Sequence, residues 1–382
     1  MIAKTMRGLE NVLAEELINL GADNVEIGRR SVFFSGDKRL LYRANMQLHT
    51  ALRILKPIAA FEADNAGAIY DKLVRIDWED WFDISKTFAV DSVVYSETFN
   101  NSLYLSYKVK DAIADHFNEK FGRRPSVRLT NPDIYVHLHV AHNQCTLCLD
   151  SSGESLHKRG YRTEQTEAPL NEVLAAGMLK LAGWKGQTNF IDPMCGSGTL
   201  PIEAALIALN IAPGIYRKGF AFQHWNDYDK DLFDEVYDED TQVPFEYKIY
   251  GSDISRQAIA IAERNVAASG LKKYIHLKQK AIQDIKTTIG PGGLLMTNPP
   301  YGERLKPEDL IGLYQDLGER LKHVFTGYDA WVLSYREECF DSIGLRHSLR
   351  IPLMNGQLDC ELRKYEIFDG KMKAHKSSRY GR

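Results

Sequence analysis

Residues 188–335 alternate short apolar runs with amphipathic segments, and this alternation constrains the fold more than any other feature of the chain. "TNFIDPMCGSG" predicts a strand and loop, and "TLPIEAALIALN" predicts the helix that follows. Similar strand and helix segments continue from "YKIYGSDIS" to "DAWVLSY". Such alternation is typical of an α/β domain with a doubly wound, mainly parallel sheet. Ligands of these sheets bind beyond the carboxyl ends of the strands.

Two smaller α+β units are predicted ahead of this domain. In the first, "LENVLAEELINL" and residues 39–49 predict helices around the short strand "SVFFSG". In the second, "KTFAVDSVVYS" predicts a strand, a long helix ends at Gly122, and "PDIYVHLHVAHNQCTLCLDSSG" predicts a hairpin. The first unit is predicted to span residues 1–63 and the second 64–155. A linker at 156–168, the α/β domain at 169–370 and a basic tail at 371–382 are predicted to follow.

The composition is that of an ordinary globular protein, with 44% hydrophobic and 26% charged residues in 382. No apolar run reaches the length of a membrane span, and the N-terminus carries charges where a signal peptide needs an apolar segment. Five cysteines form no disulfide pattern, and Cys145 and Cys148 lack a second cysteine pair for zinc. We therefore expect a cytoplasmic protein without metal or membrane partner. The net charge of −3 leaves nucleic-acid binding to local basic patches.

The loop "DPMCGSGT", from Asp192 to Thr199, lies where a cofactor loop belongs. A phosphate-binding Walker loop needs Lys-Ser/Thr after its last glycine, whereas Thr-Leu follows here. A dinucleotide fingerprint needs a third glycine where the chain has Pro201. S-adenosylmethionine, which has no phosphate, remains. The loop residues that we expect to contact it are Asp192, Met194, Cys195, Gly196, Gly198 and Thr199.

Three acidic residues follow successive predicted strands. Asp192 is expected to bind the ammonium of the cofactor, Asp253 its ribose hydroxyls and Asp284 its adenine amine, with Ile254 beside Asp253. The alternative is that each acid only caps the helix that follows it. Asp253 lies far beyond the glycine loop, so residues 210–248 are predicted to be an insertion or a long first crossover. Their aromatic side chains are candidates for lining the target pocket.

The segment "NPPYGERL", residues 298–305, follows the apolar run "GGLLMT" and ends a predicted core strand. An exocyclic amino group is a poor nucleophile because its lone pair is delocalised into the ring. The Asn298 side-chain oxygen and the Pro299 carbonyl can accept hydrogen bonds from both of its N–H groups and favour a pyramidal nitrogen. Tyr301 offers a ring for base stacking. The alternative is a turn that ends the strand.

Two basic patches are candidates for contacts with RNA phosphates. The first surrounds the predicted helix that ends at Gly122, and the second lies in the linker "LHKRGYR". Tyr104 and Tyr107 are expected in the core or on a helix face rather than as a stacking platform. The candidate RNA-binding residues are Lys108, Lys110, Arg123, Arg124, Arg128, His157, Lys158, Arg159 and Arg162, and the tail adds Lys371, Lys373, Lys376, Arg379 and Arg382.

"DPMCGSGTLPIEAA", "GSDIS" and "NPPYGERL" resemble motifs of the S-adenosylmethionine-dependent RNA guanine-N2 methyltransferases, and the resemblance covers essentially the whole chain. "RGLENVLAEEL" is similar to the ferredoxin-like unit of that family, and residues 64–155 resemble its THUMP domain, an RNA-binding module. The resemblance implies N2-methylguanosine formation in 23S rRNA, with S-adenosylhomocysteine as by-product. It also implies that Asn171 and Glu172 of "APLNE" contribute to the cofactor pocket.

The motif "NPPY" does not identify the base, since it also serves adenine-N6, cytosine-N4 and glutamine-N5 methylation. An adenine-N6 methyltransferase acting on DNA or RNA therefore stays open. So does an RNA-binding ribosome-assembly factor whose methylase activity is secondary or absent. On each RNA hypothesis the expected partner is large-subunit rRNA or a ribosomal precursor.

Overall fold

The computed structural model describes residues 1–167, 169–302 and 309–368. The predicted basic tail and Glu303, Arg304 and Leu305 of "NPPYGERL" lie outside these residues. The described chain forms two compact units. The first comprises residues 1–5, 13–158 and 217–239, and the second comprises residues 6–12, 159–216 and the described residues from 240 onward. Within the described residues, no helix has the length and apolar character needed to span a membrane.

Fourteen strands and ten α-helices are described. The strands are β1 (Ile2–Lys4), β2 (Asp23–Gly28), β3 (Ser31–Ser35), β4 (Arg53–Glu62), β5 (Phe88–Tyr95), β6 (Ile134–Ala141), β7 (Gln144–Asp150), β8 (Asn189–Asp192), β9 (Ile249–Asp253), β10 (Ile275–Gln279), β11 (Gly293–Thr297), β12 (Tyr328–Ser334), β13 (Leu349–Asn355) and β14 (Leu358–Glu366). The helices are α1 (Glu10–Asn19), α2 (Lys38–Gln47), α3 (Ala66–Leu73), α4 (Ser102–Phe121), α5 (Glu172–Leu181), α6 (Thr199–Ala208), α7 (Lys230–Tyr237), α8 (Arg256–Ala268), α9 (Leu310–His323) and α10 (Glu337–Ser342).

The first unit contains one seven-stranded sheet in the order β2-β3-β1-β4-β7-β6-β5. Strand β4 pairs with β7, so this single sheet joins the strands of the two predicted α+β units. Helix α4 shows how the sequence sets its length. The Asn101 side chain accepts from the Tyr104 N–H at its start, and Gly122 adopts the left-handed conformation that ends it.

Several aromatic residues of the predicted 210–248 insertion, all within 217–239, belong to the core of the first unit. The Phe222 ring stacks on Tyr42 with centroids 4.5 Å apart, and Phe220 stacks on Phe222 at 5.3 Å. Phe233 of α7 packs edge-on against Phe222. All of these rings are buried, so the expectation that they line the target pocket is wrong. Buried aromatic pairs of this kind each contribute about 0.5–1.5 kcal/mol beyond their area.

The second unit contains a seven-stranded mixed sheet in the order β10-β9-β8-β11-β12-β14-β13. The strands from β10 to β12 are parallel, as the strand and helix alternation predicts. Strands β13 and β14 form an antiparallel hairpin on the β12 side, which the sequence analysis did not predict. The parallel strands bring the ends of β8, β9 and β11 to one edge of the sheet, where the candidate site lies.

Candidate active site

A cavity of about 1730 Å³ lies in the second unit at the carboxyl ends of β8, β9 and β11. Asp192 and Asp253 end β8 and β9, and Asn298 follows β11. All three residues line the cavity. Pockets for single small molecules typically hold roughly 300–1,000 Å³, so this cavity has room for a cofactor and a nucleobase together.

Backbone hydrogen bonds fix the glycine loop between β8 and α6. The Cys195 N–H donates to the Ser252 carbonyl at 2.8 Å, and the Gly196 N–H donates to Asp253 Oδ2 at 3.0 Å. Gly198 begins α6 with a φ of 85°, and a Cβ atom there would lie 3.2 Å from the Cβ of Ala262. The loop therefore needs glycine at residue 198 for both its conformation and its close packing.

Cys195 occupies a crowded position in this loop. A Cβ atom on Gly251 would approach its sulfur to 3.1 Å, and Cys195 is 6% exposed. Burial raises the pKa of the Cys195 thiol well above its ordinary value. The thiol is therefore neutral at physiological pH, which argues for a packing role rather than a nucleophilic one.

Asp192 is a buried carboxyl group, 1% exposed. Its Oδ1 accepts from the Thr297 hydroxyl at 2.9 Å and from the Met194 N–H at 3.2 Å. Burial raises the pKa of Asp192 to about 7, although both hydrogen bonds act in the opposite direction. The group is therefore poised to ionise near neutral pH when a cation binds beside it.

Asp253 and Ile254 present different chemistry to the cavity. The Asp253 oxygens accept from the Gly196 N–H at 3.0 Å and from the Ser255 N–H at 2.9 Å, which fixes the carboxylate. Each oxygen keeps lone-pair capacity for a ligand hydroxyl. Ile254 lines the cavity with 67% of its surface exposed, and an apolar side chain there can cover a flat ring.

The described residues that line the cavity include carboxylates but no lysine, arginine or histidine. Every charged side chain among the described lining residues is acidic, so these residues would repel a phosphate and attract a cationic ligand. The lining carboxylates are Glu167, Asp192, Asp253, Asp309 and Asp316.

Two predicted cofactor contacts need correction. Asp284 is exposed and does not line the cavity. Strand β10 ends at Gln279, and in the 3₁₀ turn that follows Gln283 lines the cavity instead. Glu172 is buried beneath the site, and its Oε1 lies 3.0 Å from Nε of Arg162. Asn171 does line the cavity, and its side chain caps α5.

The "NPPY" loop is held from several sides. The Tyr301 hydroxyl donates to Asn298 Oδ1, the predicted acceptor. The Arg336 guanidinium donates to the Tyr301 carbonyl at 3.0 Å, and the Tyr314 hydroxyl donates to the Pro300 carbonyl at 3.4 Å. Tyr301 is only 9% exposed, which leaves little of its ring for the predicted base stacking. Pro299 lines the cavity, so its carbonyl stays a candidate acceptor.

The first basic patch lies on the surface of the first unit. Arg123, Arg124 and Arg128 are exposed, and Lys108 and Lys110 of α4 are half-buried. The Lys108 ammonium lies 5.6 Å from the Tyr104 ring and the Lys110 ammonium 5.7 Å from the Tyr107 ring. Tyr104 and Tyr107 are themselves half exposed, on a helix face rather than in the core.

The second basic patch is divided by burial. Lys158 is exposed and His157 is half-buried, whereas Arg159 is 2% exposed and paired with Glu203, with Nη2 and Oε2 3.3 Å apart. The prediction that Arg159 binds RNA is therefore wrong, because its charge is already neutralised in the core. Arg162 donates to the Thr199 hydroxyl and the Leu170 carbonyl, and so supports the cofactor loop.

Two residues in or near the site were not predicted from the sequence. One is Asn355, which lines the cavity and donates from Nδ2 to the Tyr301 hydroxyl oxygen at 3.4 Å. Gly356 before Gln357 fits the Gly-X pair of a type II′ hairpin turn and was the available signal. The other is Glu203, the partner of Arg159, for which the sequence carries no local signal.

Comparisons with known proteins assign families to three parts of the chain. A family model described as "RMKL-like, methyltransferase domain" matches residues 159–364. A THUMP domain model matches residues 63–150, and a model of the RlmL ferredoxin-like domain matches residues 1–55. The first match spans most of the second unit, including the candidate site.

Relatives that match nearly the whole of this chain agree with these family models. The chain is 40% identical over 374 residues to a Synechocystis protein provisionally named an RNA methyltransferase, with 96% of each chain covered. It is 41% identical over 378 residues to the ribosomal RNA large subunit methyltransferase K/L of Methylococcus capsulatus, with 96% of this chain and 51% of that protein covered. The chain thus spans about half the length of such K/L relatives.

A solved structure shares the fold over nearly the whole length. The crystal structure of SMU.472, a methyltransferase by its provisional name, complexed with S-adenosylhomocysteine, is 32% identical. It superposes with a TM-score of 0.85 and covers 97% of this chain and 98% of that one.

Proposed function

The chain belongs to the RMKL-like methyltransferase family, and we propose that it methylates the exocyclic N2 amino group of a guanine in large-subunit ribosomal RNA. The observation that carries the proposal is the acidic cavity that places Asn298 beside Asp192 and Asp253. Its cofactor is S-adenosylmethionine, which supplies an electrophilic methyl group on a sulfonium.

The residues of the cavity fit this cofactor. A buried carboxyl at Asp192 suits an ammonium, the fixed carboxylate of Asp253 suits a pair of hydroxyls, and Ile254 suits the face of an adenine ring. The absence of basic side chains among the described lining residues disfavours the phosphate-bearing cofactors. Asn171 and Met194 also line the cavity.

The catalytic contribution of the "NPPY" loop is acceptance of hydrogen bonds. The Asn298 oxygen takes one hydrogen bond from the Tyr301 hydroxyl and keeps a second lone pair for an amino N–H. The Pro299 carbonyl is the second proposed acceptor. Tethering of the loop by Arg336 and Tyr314 limits the reorganisation needed at the reaction.

RNA binding is proposed for one surface of the first unit, which we call the α4 face: Leu103, Tyr104, Tyr107, Lys108 and Lys110. The three apolar or aromatic members are each about half exposed, and the two ammonium groups lie over tyrosine rings. The sequence did not favour a stacking role for Tyr104 and Tyr107, but their exposed rings beside cations suit stacked bases and backbone phosphates. Arg123, Arg124 and Arg128 extend the positive charge beyond the end of the helix.

The test is incubation of the protein with labelled S-adenosylmethionine and unmodified rRNA, followed by nucleoside analysis of the digest. We expect N2-methylguanosine. N6-methyladenosine or N4-methylcytidine without N2-methylguanosine would overturn the base assignment. Tight rRNA binding without cofactor binding or methylation would favour an assembly factor.

Asn298→Ala tests the proposed acceptor. We expect turnover to fall at least 100-fold, since one preorganised hydrogen-bonding group is typically worth about 10²–10³ in kcat. Binding of S-adenosylhomocysteine, measured by calorimetry, should survive. Gln242→Ala, which removes an exposed amide of the second unit, is the matched control and should keep full turnover. Loss of cofactor binding in Asn298→Ala would assign Asn298 another role.

A further inference from the structure

The turn between β13 and β14 brings a side-chain amide to the "NPPY" loop. Asn355 and Leu358 are the last paired residues of the hairpin, so only Gly356 and Gln357 form the turn. Gly356 has a φ of 64°, as the first residue of a type II′ turn requires. Asn355 is therefore placed by a paired strand and not by a loose loop.

The hydrogen bonds at Tyr301 have a defined direction. Asn355 Nδ2 lies 3.4 Å from the Tyr301 hydroxyl oxygen, and an amide nitrogen can only donate. The single hydroxyl proton is then directed to Asn298 Oδ1. Asn355 thus donates to Tyr301, and Tyr301 donates to Asn298.

This direction matters because an asparagine amide can rotate to exchange its oxygen and nitrogen. If Asn298 turned its nitrogen toward Tyr301, the hydroxyl oxygen would receive two donors and its own proton would be left with the Cys360 sulfur, a weak acceptor. Tyr301 is nine-tenths buried, so exchanging a carbonyl acceptor for a weak sulfur acceptor costs free energy. The rotated amide would also present a donor, instead of an acceptor, to the amino group of the target base.

We propose that Asn355 is a positioning residue that directs the Tyr301 hydroxyl and thereby keeps the Asn298 oxygen available as the catalytic acceptor. The inference rests on the proposed function, because it assigns a purpose to the acceptor at Asn298. It also assigns Tyr301 an orienting role in place of base stacking. Asn355 acts only through Tyr301.

Other titratable groups near Tyr301 keep a constant charge around neutral pH. Burial raises the pKa of Tyr301, of Tyr314 on α9 and of Cys360 on β14, so all three stay neutral. Arg336, which donates to the Tyr301 carbonyl, stays cationic and pairs with Glu338. Asp192 in the same cavity does titrate, so pH can change kcat through cofactor binding in every variant. Each variant must therefore be compared with the unchanged protein at saturating cofactor.

The decisive variant is Asn355→Asp. An ionised carboxylate has nearly the same shape but can only accept, so it would draw the Tyr301 proton away from Asn298. We expect kcat at pH 8 to fall at least tenfold relative to the unchanged protein, and the ratio to recover as the pH falls and the new carboxyl becomes protonated. KM for RNA should change less than twofold.

Tyr301→Phe provides the background that isolates the proposed route. Without the hydroxyl, Asn355→Asp should cause no further fall in kcat. An equal fall in both backgrounds, or unchanged kcat and pH profile in Asn355→Asp alone, would overturn the inference. A protein that binds cofactor and RNA without methylating any base would instead contradict the proposed function.

A spectroscopic readout is independent of activity. Tyrosine labelled with ¹³C at Cζ reports the hydrogen bonding of each hydroxyl, and Tyr301→Phe identifies the Tyr301 resonance. In Asn355→Asp this resonance should shift with pH as the new carboxyl ionises, whereas in the unchanged protein it should stay constant between pH 5 and about 8. A constant resonance in the variant would also overturn the inference, and it requires only that the variant folds.

Discussion

Two basic segments look alike in the sequence but occupy different environments in the molecule. The segment around α4 has Lys108 and Lys110 beside exposed tyrosines, with Arg124 exposed beyond the helix. In the linker segment, Arg159 is 2% exposed and paired with a fully buried Glu203. Lys110 and Arg124 also have carboxylate partners, but these ion pairs lie at the surface. The difference teaches that a basic residue available to RNA is recognised by its exposure and by whether its partner is buried, rather than by its position in a charged run.

The buried arginine is part of a small network. Its Nε and Nη2 each lie 3.3 Å from a Glu203 oxygen, and the Tyr161 hydroxyl donates to Glu203 Oε1 at 2.9 Å. Burial alone would lower the pKa of Arg159, but the carboxylate beside it raises that pKa overall. This pair connects the linker segment to α6, the helix that begins at the cofactor loop.

The largest expected effect is therefore on folding. Arg159→Met leaves Glu203 buried without its cation, and breaking one partner of a buried pair costs about 3–5 kcal/mol. Urea denaturation should show this loss in the second unit, and the double variant Arg159→Met/Glu203→Leu should recover most of it. Unchanged stability in Arg159→Met together with weaker RNA binding would mean that Arg159 contacts RNA after all.

How far the sequence predicts the fold depends on whether the decisive contacts are local. The parallel strands, the glycine loop and the "NPPY" loop carry local signals in periodicity and turn residues, and they converge because parallel strands end at one edge. Strand β4 was missed because its partner β7 lies far away in the chain. The hairpin of β13 and β14 is local, and its two-residue turn was overlooked. The proposed domain boundaries stay predictions.

The site shows the same division between local and distant information. The positions of Asp192, Asp253 and Asn298 follow from strand ends, and each lines the cavity. Asp284 was misplaced because a short turn after β10 changes which side chain points inward. Arg159 was misassigned because its partner is 44 residues away, and no pattern in the linker reveals that distance.

Asp192 extends the comparison to a buried charge of the opposite sign. In the free protein the pKa of Asp192 is raised to about 7, so folding favours its protonated form. The contribution of this protonated carboxyl to folding stability is therefore lost as the pH rises from about 4 through 7. A bound ammonium favours the ionised form. Affinity for S-adenosylhomocysteine should therefore increase with pH and level off above 7, being about tenfold weaker at pH 6 than at the plateau.

Calorimetry between pH 6 and about 8 checks this expectation. Asp192→Asn should bind more weakly and lose the pH dependence. Asp284→Asn is the matched control, because that carboxylate is exposed and outside the cavity lining, and it should keep both the affinity and the pH profile. Equal losses of affinity in both variants would mean that Asp284 also contacts the cofactor. Burial would then not be the property that distinguishes the two carboxyl groups.

The smallest expected effect concerns two lysines, one from each basic segment; Lys108 is half-buried and Lys158 is exposed. Lys108 lies over tyrosine rings on the α4 face, whereas Lys158 pairs with Glu154 at 2.5 Å within its own segment. If Lys108 contacts a phosphate, Lys108→Gln should weaken RNA binding a few-fold and reduce the slope of log affinity against log salt by about 0.7–0.9. Lys158→Gln should leave that slope unchanged, since its charge is already balanced locally. Equal slope changes in both variants would mean that access to solvent is enough for a lysine to bind RNA and that its ion pair does not matter. A slope change in Lys158→Gln alone would place the RNA-binding surface on the linker instead of on α4.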